Sequence, residues 1–127
     1  MEKVRFSFED LEVWQKAVDF ATIVIDLAEK INTDRKHYRL IEQLESASTS
    51  IALNIAEGKG RYSKKEFIQF LYIARGSLYE TVTLLIILRK KNWINDAQLE
   101  EIRSSGDEIG EMLSSLINSI KTSMRVP

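Results

Sequence analysis

The chain has no cysteine in its 127 residues, which excludes disulfides, thiolate zinc sites and a thiol nucleophile. Histidine is nearly as scarce. The single one, His37, sits in the segment Thr33-Asp34-Arg35-Lys36-His37-Tyr38 with no second histidine to share a metal, and it reads as a solvated loop residue. Any metal site would have to be built from carboxylates, and the Glu-x-x-His signature of di-metal helix bundles is absent. No catalytic residue, metal or cofactor is therefore expected, the chain is not expected to be an enzyme, and no small-molecule substrate is implied. One proline and five glycines are too few for the many turns of a sandwich or barrel and suit long helices with short connections. An apolar leader is also missing, since Met1-Glu2-Lys3-Val4-Arg5 is charged. The longest aliphatic run, Leu84 to Leu88, is far too short to span a bilayer. The expectation is a cytoplasmic protein with no membrane partner.

What is present is 44% hydrophobic residues in a chain of single-domain length, enough to build one core over residues 1–127. The net charge of −1 conceals a division along the chain. Residues 1–34 hold four Lys/Arg against eight Asp/Glu, residues 35–91 hold eleven against five, and residues 92–127 hold three against six. A near-neutral whole argues against a general nucleic-acid coat, whereas a basic middle allows a local basic surface.

Helical periodicity occurs in four stretches, about 10–31, 38–57, 63–91 and 96–123. The first has two seams. One is Leu11, Trp14, Val18, Ala21, Ile25 and Ala28; the other is Val13, Ala17, Phe20, Val24, Leu27 and Ile31. Asp10 is placed to cap it. The second is striped by Leu40, Leu44, Ala47, Ile51 and Ile55, and Gly58 stands where a left-handed terminal residue is wanted. The third opens on Ser63-Lys64-Lys65-Glu66, a capping-box pattern, and carries Phe67, Leu71, Ala74, Leu78, Thr81, Leu85 and Leu88. The fourth, capped by Asn95 or Asp96, carries Leu99, Ile102, Gly106, Ile109, Leu113, Leu116 and Ile120. Connections of a few residues force neighbours antiparallel, so the fold expected is an all-α, up-down-up-down antiparallel four-helix bundle.

A helix of a monomeric bundle needs one apolar stripe. The second seam of the first helix and the all-round apolar run Leu84–Leu88 are a surplus, which predicts a subunit interface and so a homo-oligomer.

Lys59-Gly60-Arg61-Tyr62-Ser63-Lys64-Lys65 is the densest basic stretch and leads into a helix N-terminus, an arrangement that suits a phosphate as well as it suits a plain solvated turn. It is not a Walker motif. An up-down topology gathers Arg35, Lys36, Arg39, Arg89, Lys90 and Lys91 at the opposite end. The candidate nucleic-acid contacts are accordingly Lys59, Arg61, Lys64 and Lys65 at one end and those six at the other. Glu57, Glu66 and Glu80 are expected to cap termini or to pair with Arg61 and Arg75.

Three strings carry a resemblance to a known family. They are Phe6-x-Phe8-x-x-Leu11-x-Val13-Trp14-Gln15-Lys16-Ala17, then Ser50-Ile51-x-x-Asn54-Ile55-Ala56-Glu57-Gly58-x-Gly60-Arg61, then Glu66-Phe67-x-x-Phe70-Leu71-x-Ile73-Ala74-Arg75-Gly76-Ser77-Leu78-x-Glu80. The sequence strongly resembles the bacterial four-helix-bundle proteins encoded in intervening sequences of 23S ribosomal RNA, to which the accessory variability proteins of diversity-generating retroelements are related. The resemblance covers the first three helices. It implies a homopentameric ring without enzymatic activity and, for the retroelement relatives, nucleic-acid and reverse-transcriptase binding through a basic surface. Where such proteins carry an arginine pair in the second helix, this chain has Gln43-Leu44-Glu45-Ser46. The motif residues Asn54, Glu57, Gly58, Gly60, Arg61, Glu66, Arg75 and Glu80 are expected to be structural and to serve the turn between the second and third helices. The function expected is a non-enzymatic oligomeric binding module that contacts RNA, or a nucleic-acid-associated protein, through basic bundle ends. The alternative is a protein-interaction scaffold with no nucleic-acid contact.

Overall fold

The computed structural model describes residues 3–31 and 37–125. A short 3-10 turn, Ser7–Asp10, precedes four helices: α1 Glu12–Lys30, α2 Tyr38–Lys59, α3 Lys64–Lys90 and α4 Asp96–Met124. Each helix packs on its neighbours in the chain, and α4 closes on α1. The expected antiparallel four-helix bundle is what forms.

The core is the set of stripes that the spacing predicts. Phe20, Val24, Leu44, Ile51, Ile55, Leu71, Leu85, Leu88, Ile102, Ile109 and Leu113 are fully buried, each worth roughly 1.5–3 kcal/mol of transfer from water. One departure comes late in α4. The 3-4 spacing points to Leu116 and Ile120, but both are only half-buried and Ile117 takes the core position. A straight helix drifts by about 20° per heptad against a strict seven-residue repeat, so the stripe moves on by one residue over this long helix. By length and hydropathy α3 would qualify as a membrane span, yet Leu71, Leu78 and Leu85 lie in the bundle core.

The helix ends depart from the sequence expectation in two places. Asp10 does not cap α1: Leu11 holds that position with no side-chain cap, and Asp10 pairs with Arg5 at 2.9 Å. Gly58 is not left-handed, because none of the described glycines has positive φ. It is buried inside α2, where an added Cβ would lie 2.6 Å from the Cβ of Phe70 and 3.0 Å from the Phe67 ring. The glycine is there so that α3 can approach closely. The left-handed residue is Asn92, with φ of 62° after α3. Its N–H donates to the Arg89 carbonyl, and the Trp93 N–H donates to the Leu88 carbonyl, both at 3.0 Å. That double closure is a Schellman motif.

The other caps follow the sequence more closely. Ser63 accepts from the Glu66 N–H at 3.1 Å, while the Glu66 carboxylate accepts from the Ser63 hydroxyl rather than from its N–H. Asn95, not Asp96, caps α4, in a complete box with Gln98.

Most of the apolar surplus is absorbed within one chain. In the first seam of α1, Ala21 and Ala28 are buried and Leu11, Trp14, Val18 and Ile25 half-buried. In the Leu84–Leu88 run, Leu84, Leu85 and Leu88 are buried. The large aliphatic side chains left most exposed on α2 and α3 are Leu53 at 65%, Ile73 at 52% and Ile87 at 42% exposure.

Candidate functional site: the basic turn and the α3–α4 groove

The turn between α2 and α3 is held by its own motif residues. Arg61 donates to the Glu57 carboxylate at 2.7 Å and lies 4.7 Å from the Phe70 ring centroid. This ion pair is on the surface, so it orients Arg61 more than it stabilises the fold. Lys59 stands over the Phe67 ring at 5.9 Å. Gly60 ends α2 with its N–H on the Ala56 carbonyl at 3.2 Å. Asn54 does not reach the turn. It donates to the Ser50 carbonyl and hydroxyl, both at 2.8 Å, and the Ser77 hydroxyl meets Ser50 at 3.0 Å, making a polar seam midway between α2 and α3.

Arg75 corrects another expectation. Among the described residues it makes no carboxylate pair: it donates to the Ser114 hydroxyl at 3.3 Å and lies 4.9 Å from the Tyr72 ring. Glu80 is exposed and pairs with no cation among the described residues.

Beside this turn the chain brings in cations from α4. Lys64 donates to the Ser123 hydroxyl at 3.0 Å, and Lys121 donates to the Tyr72 phenol at 2.6 Å. That hydrogen bond, against a smaller opposing effect of burial, holds the Tyr72 phenol below its ordinary pKa. Lys65, Lys121 and Arg125 rim a groove of about 430 Å³ whose floor is Ile68, Tyr72 and Met124. Past Glu66, which is bonded to Ser63 at the start of α3, no Asp or Glu occurs between residues 67 and 79 or between residues 112 and 125.

Farther along α3 and α4 lies a larger groove of about 780 Å³, lined by Leu78, Val82 and Gly110 but also by Asp107 and Glu111.

The opposite basic end is a different environment. Arg89 donates to Asp96 and, at 3.1 Å, to Asn92. The Arg89 hydrogen bond holds the Asp96 carboxyl below the usual carboxylate range, and Asp96 in turn raises Arg89. Arg39, Lys90 and Lys91 are exposed, and the His37 ring packs at a tilt against Trp93, with centroids 4.5 Å apart. Arg35 and Lys36 lie outside the described residues. The described sequence candidates lie at the two opposite ends of the bundle, Lys59, Arg61, Lys64 and Lys65 at one and Arg39, Arg89, Lys90 and Lys91 at the other.

Tyr72 and its contact with Lys121 were not visible as a site in the sequence. The usable signal was register: with the α3–α4 turn at residues 91–95, antiparallel pairing sets Arg75 opposite Ser114 and Tyr72 opposite Lys121.

Fold and surface define a class of protein: an all-α four-helix bundle with a cationic end. Its described residues gather no group of three or more His, Cys, Asp or Glu able to hold a metal, and nothing indicates an enzymatic activity. The chain belongs to the 23S rRNA-intervening sequence protein family, which it matches over residues 9–115. It is also similar to a solved structure from Bacteroides thetaiotaomicron, a protein of unknown function from the S23 ribosomal protein family. The two share 30% identity with a TM-score of 0.77, covering 83% of this chain and 97% of that one. No curated protein matches the chain.

Proposed function

We propose that this protein is a non-enzymatic, oligomeric binding module of the cytoplasm that contacts RNA, or an RNA–protein assembly, through the basic end formed by the α2–α3 turn and the end of α4. The observation that carries this reading is the concentration of cations there. Lys64, Lys65, Lys121 and Arg125 come from two helices onto one surface, the nearby Glu66 carboxylate is held by the Ser63 hydroxyl, and among the described residues none of the four cations is in an ion pair. Cations without carboxylate partners keep their charge for phosphates, and releasing counterions from a polyanion drives such contacts.

Self-association is part of the proposal. Leu53 on α2 and Ile73 and Ile87 on α3 stay more than two-fifths exposed; Ile73 and Ile87 are fourteen residues apart and share one side of α3. A ring of subunits, pentameric as the family resemblance implies, would cover such a face and repeat the basic end around its rim, raising avidity without new contacts.

The test is RNA binding by the purified protein across a salt series. Binding to structured RNA is expected to weaken steeply with salt, and Lys64→Glu with Lys65→Glu is expected to weaken it further at every salt concentration. If micromolar protein at low salt shifts no structured RNA, the RNA reading is wrong. A protein partner that survives nuclease treatment would then favour the scaffold alternative, with the Leu53, Ile73 and Ile87 face as its docking surface.

A further inference from the structure

We infer that the upper α3–α4 groove is a seat for one unstacked nucleotide of single-stranded RNA, its phosphate on the Lys65, Lys121 and Arg125 rim and its base against the Ile68, Tyr72 and Met124 floor. This rests on the RNA reading above and goes beyond it in naming the form of RNA and the place.

The groove has two parts with different chemistry, and a nucleotide has the same two parts. Its floor is apolar and partly aromatic, and Tyr72 and Met124 remain 39% and 48% exposed. Apolar surface of that kind at a cationic site adds nothing to the binding of a bare phosphate. It does favour a base, whose flat face is apolar and whose stacking on side chains is worth a large factor in affinity whatever the base. The rim supplies three cations within reach of the same volume, and Gln69 beside them offers both a donor and an acceptor to a base edge. About 430 Å³ lies in the range of small-ligand sites.

The form of RNA follows from access. In an A-form duplex the bases are stacked and paired, and the deep groove admits no side chains, so a floor of this kind can be filled only by a base that has left the stack. Charge decides between the two grooves. The larger one sets Asp107 and Glu111 against a single cation, Arg103, whereas the groove beside the α2–α3 turn has three cations and no carboxylate among its lining residues. The Tyr72 phenol already accepts a hydrogen bond from Lys121, so the ring and the cation are held together as one surface before any ligand arrives.

The experiment compares a short fluorescent oligouridylate with a blunt RNA duplex of equal phosphate number. The proteins are wild type, Tyr72→Leu and Tyr72→Phe, with thermal melting as the check on folding. Ultraviolet cross-linking of the oligouridylate, read by mass spectrometry of the peptides, locates the contact. The expected result is preference for the single strand, a loss of about tenfold for Tyr72→Leu on the single strand only, near-wild-type binding by Tyr72→Phe, and cross-links at Tyr72 or Met124. Equal binding of both RNAs, unaffected by Tyr72→Leu and cross-linked to residues 59–62 or 89–91, would overturn the nucleotide seat and leave the RNA function standing. Binding of neither RNA would overturn both.

Discussion

Both ends of α3 are basic in sequence and both expose lysines, but only at the C-terminal end does the neighbouring helix bring a carboxylate onto one of the cations. At the N-terminal end Lys64 donates to the Ser123 hydroxyl and Lys121 to the Tyr72 phenol, with Lys65 and Arg125 beside them on the groove rim. At the C-terminal end Arg89 is tied to Asp96 and Asn92 within the turn itself. The two turns also keep their shape by different means. The first depends on the missing side chain of Gly58, which lets Phe67 and Phe70 close on α2. The second depends on a left-handed Asn92 that doubles back onto the last carbonyls of α3. The neighbouring helix thus supplies an acid at the second turn, Asp96 on Arg89, and only cations, Lys121 and Arg125, beside the first.

The largest effect is expected where the close approach is. Gly58→Ala should destabilise the fold by about 1–3 kcal/mol, since overpacking at a contact of backbone-like stiffness outweighs the gain in helix propensity. The same change at Gly76, where an added Cβ meets nothing within 4 Å, should instead stabilise by up to about 1 kcal/mol. Equal chemical-denaturation midpoints for the two variants would remove the special role of Gly58.

At the opposite turn, Asn92→Val should cost about 1–2 kcal/mol, the strain of a β-branched residue in the left-handed region, and Asn92→Gly should not. A neutral outcome for valine would mean that the turn adopts another closure.

The smallest effect concerns Asp96 and depends on pH. Its folded pKa is depressed by Arg89, so its contribution is present at neutral pH and is lost as pH falls through and below the usual carboxylate range. Asp96→Asn should therefore lower Tm slightly at pH 7 and leave it unchanged in acid, where the two proteins converge. A Tm difference that persists in acid would show that the ion pair is not its origin.

Much of the bundle was legible because heptad-like spacing is a direct record of which side chains face inward. Leu71, Leu78, Leu85 and Leu88 on α3 needed no other information. Residues that act across helices were less legible. Gly58 has the local signature of a helix stop, and only the distance to Phe70 shows that it is a packing residue. Arg75 has the signature of an ion-pair partner, yet the residue opposite it is Ser114. Tyr72 and Lys121 are 49 positions apart, and their meeting is set by the length of the α3–α4 turn rather than by any string of residues. The shift from Leu116 to Ile117 has the same cause on a smaller scale, since helix twist accumulates with length.

The most direct measurement pits the two ends against each other: RNA affinity as a function of salt for Lys64→Glu with Lys65→Glu and for Lys90→Glu with Lys91→Glu. If the α2–α3 end is the contact, the first pair lowers the steepness of the log-affinity against log-salt line by about two and weakens binding throughout, while the second leaves the line nearly unchanged. Equal losses from both pairs, or a loss confined to Lys90 and Lys91, would contradict it.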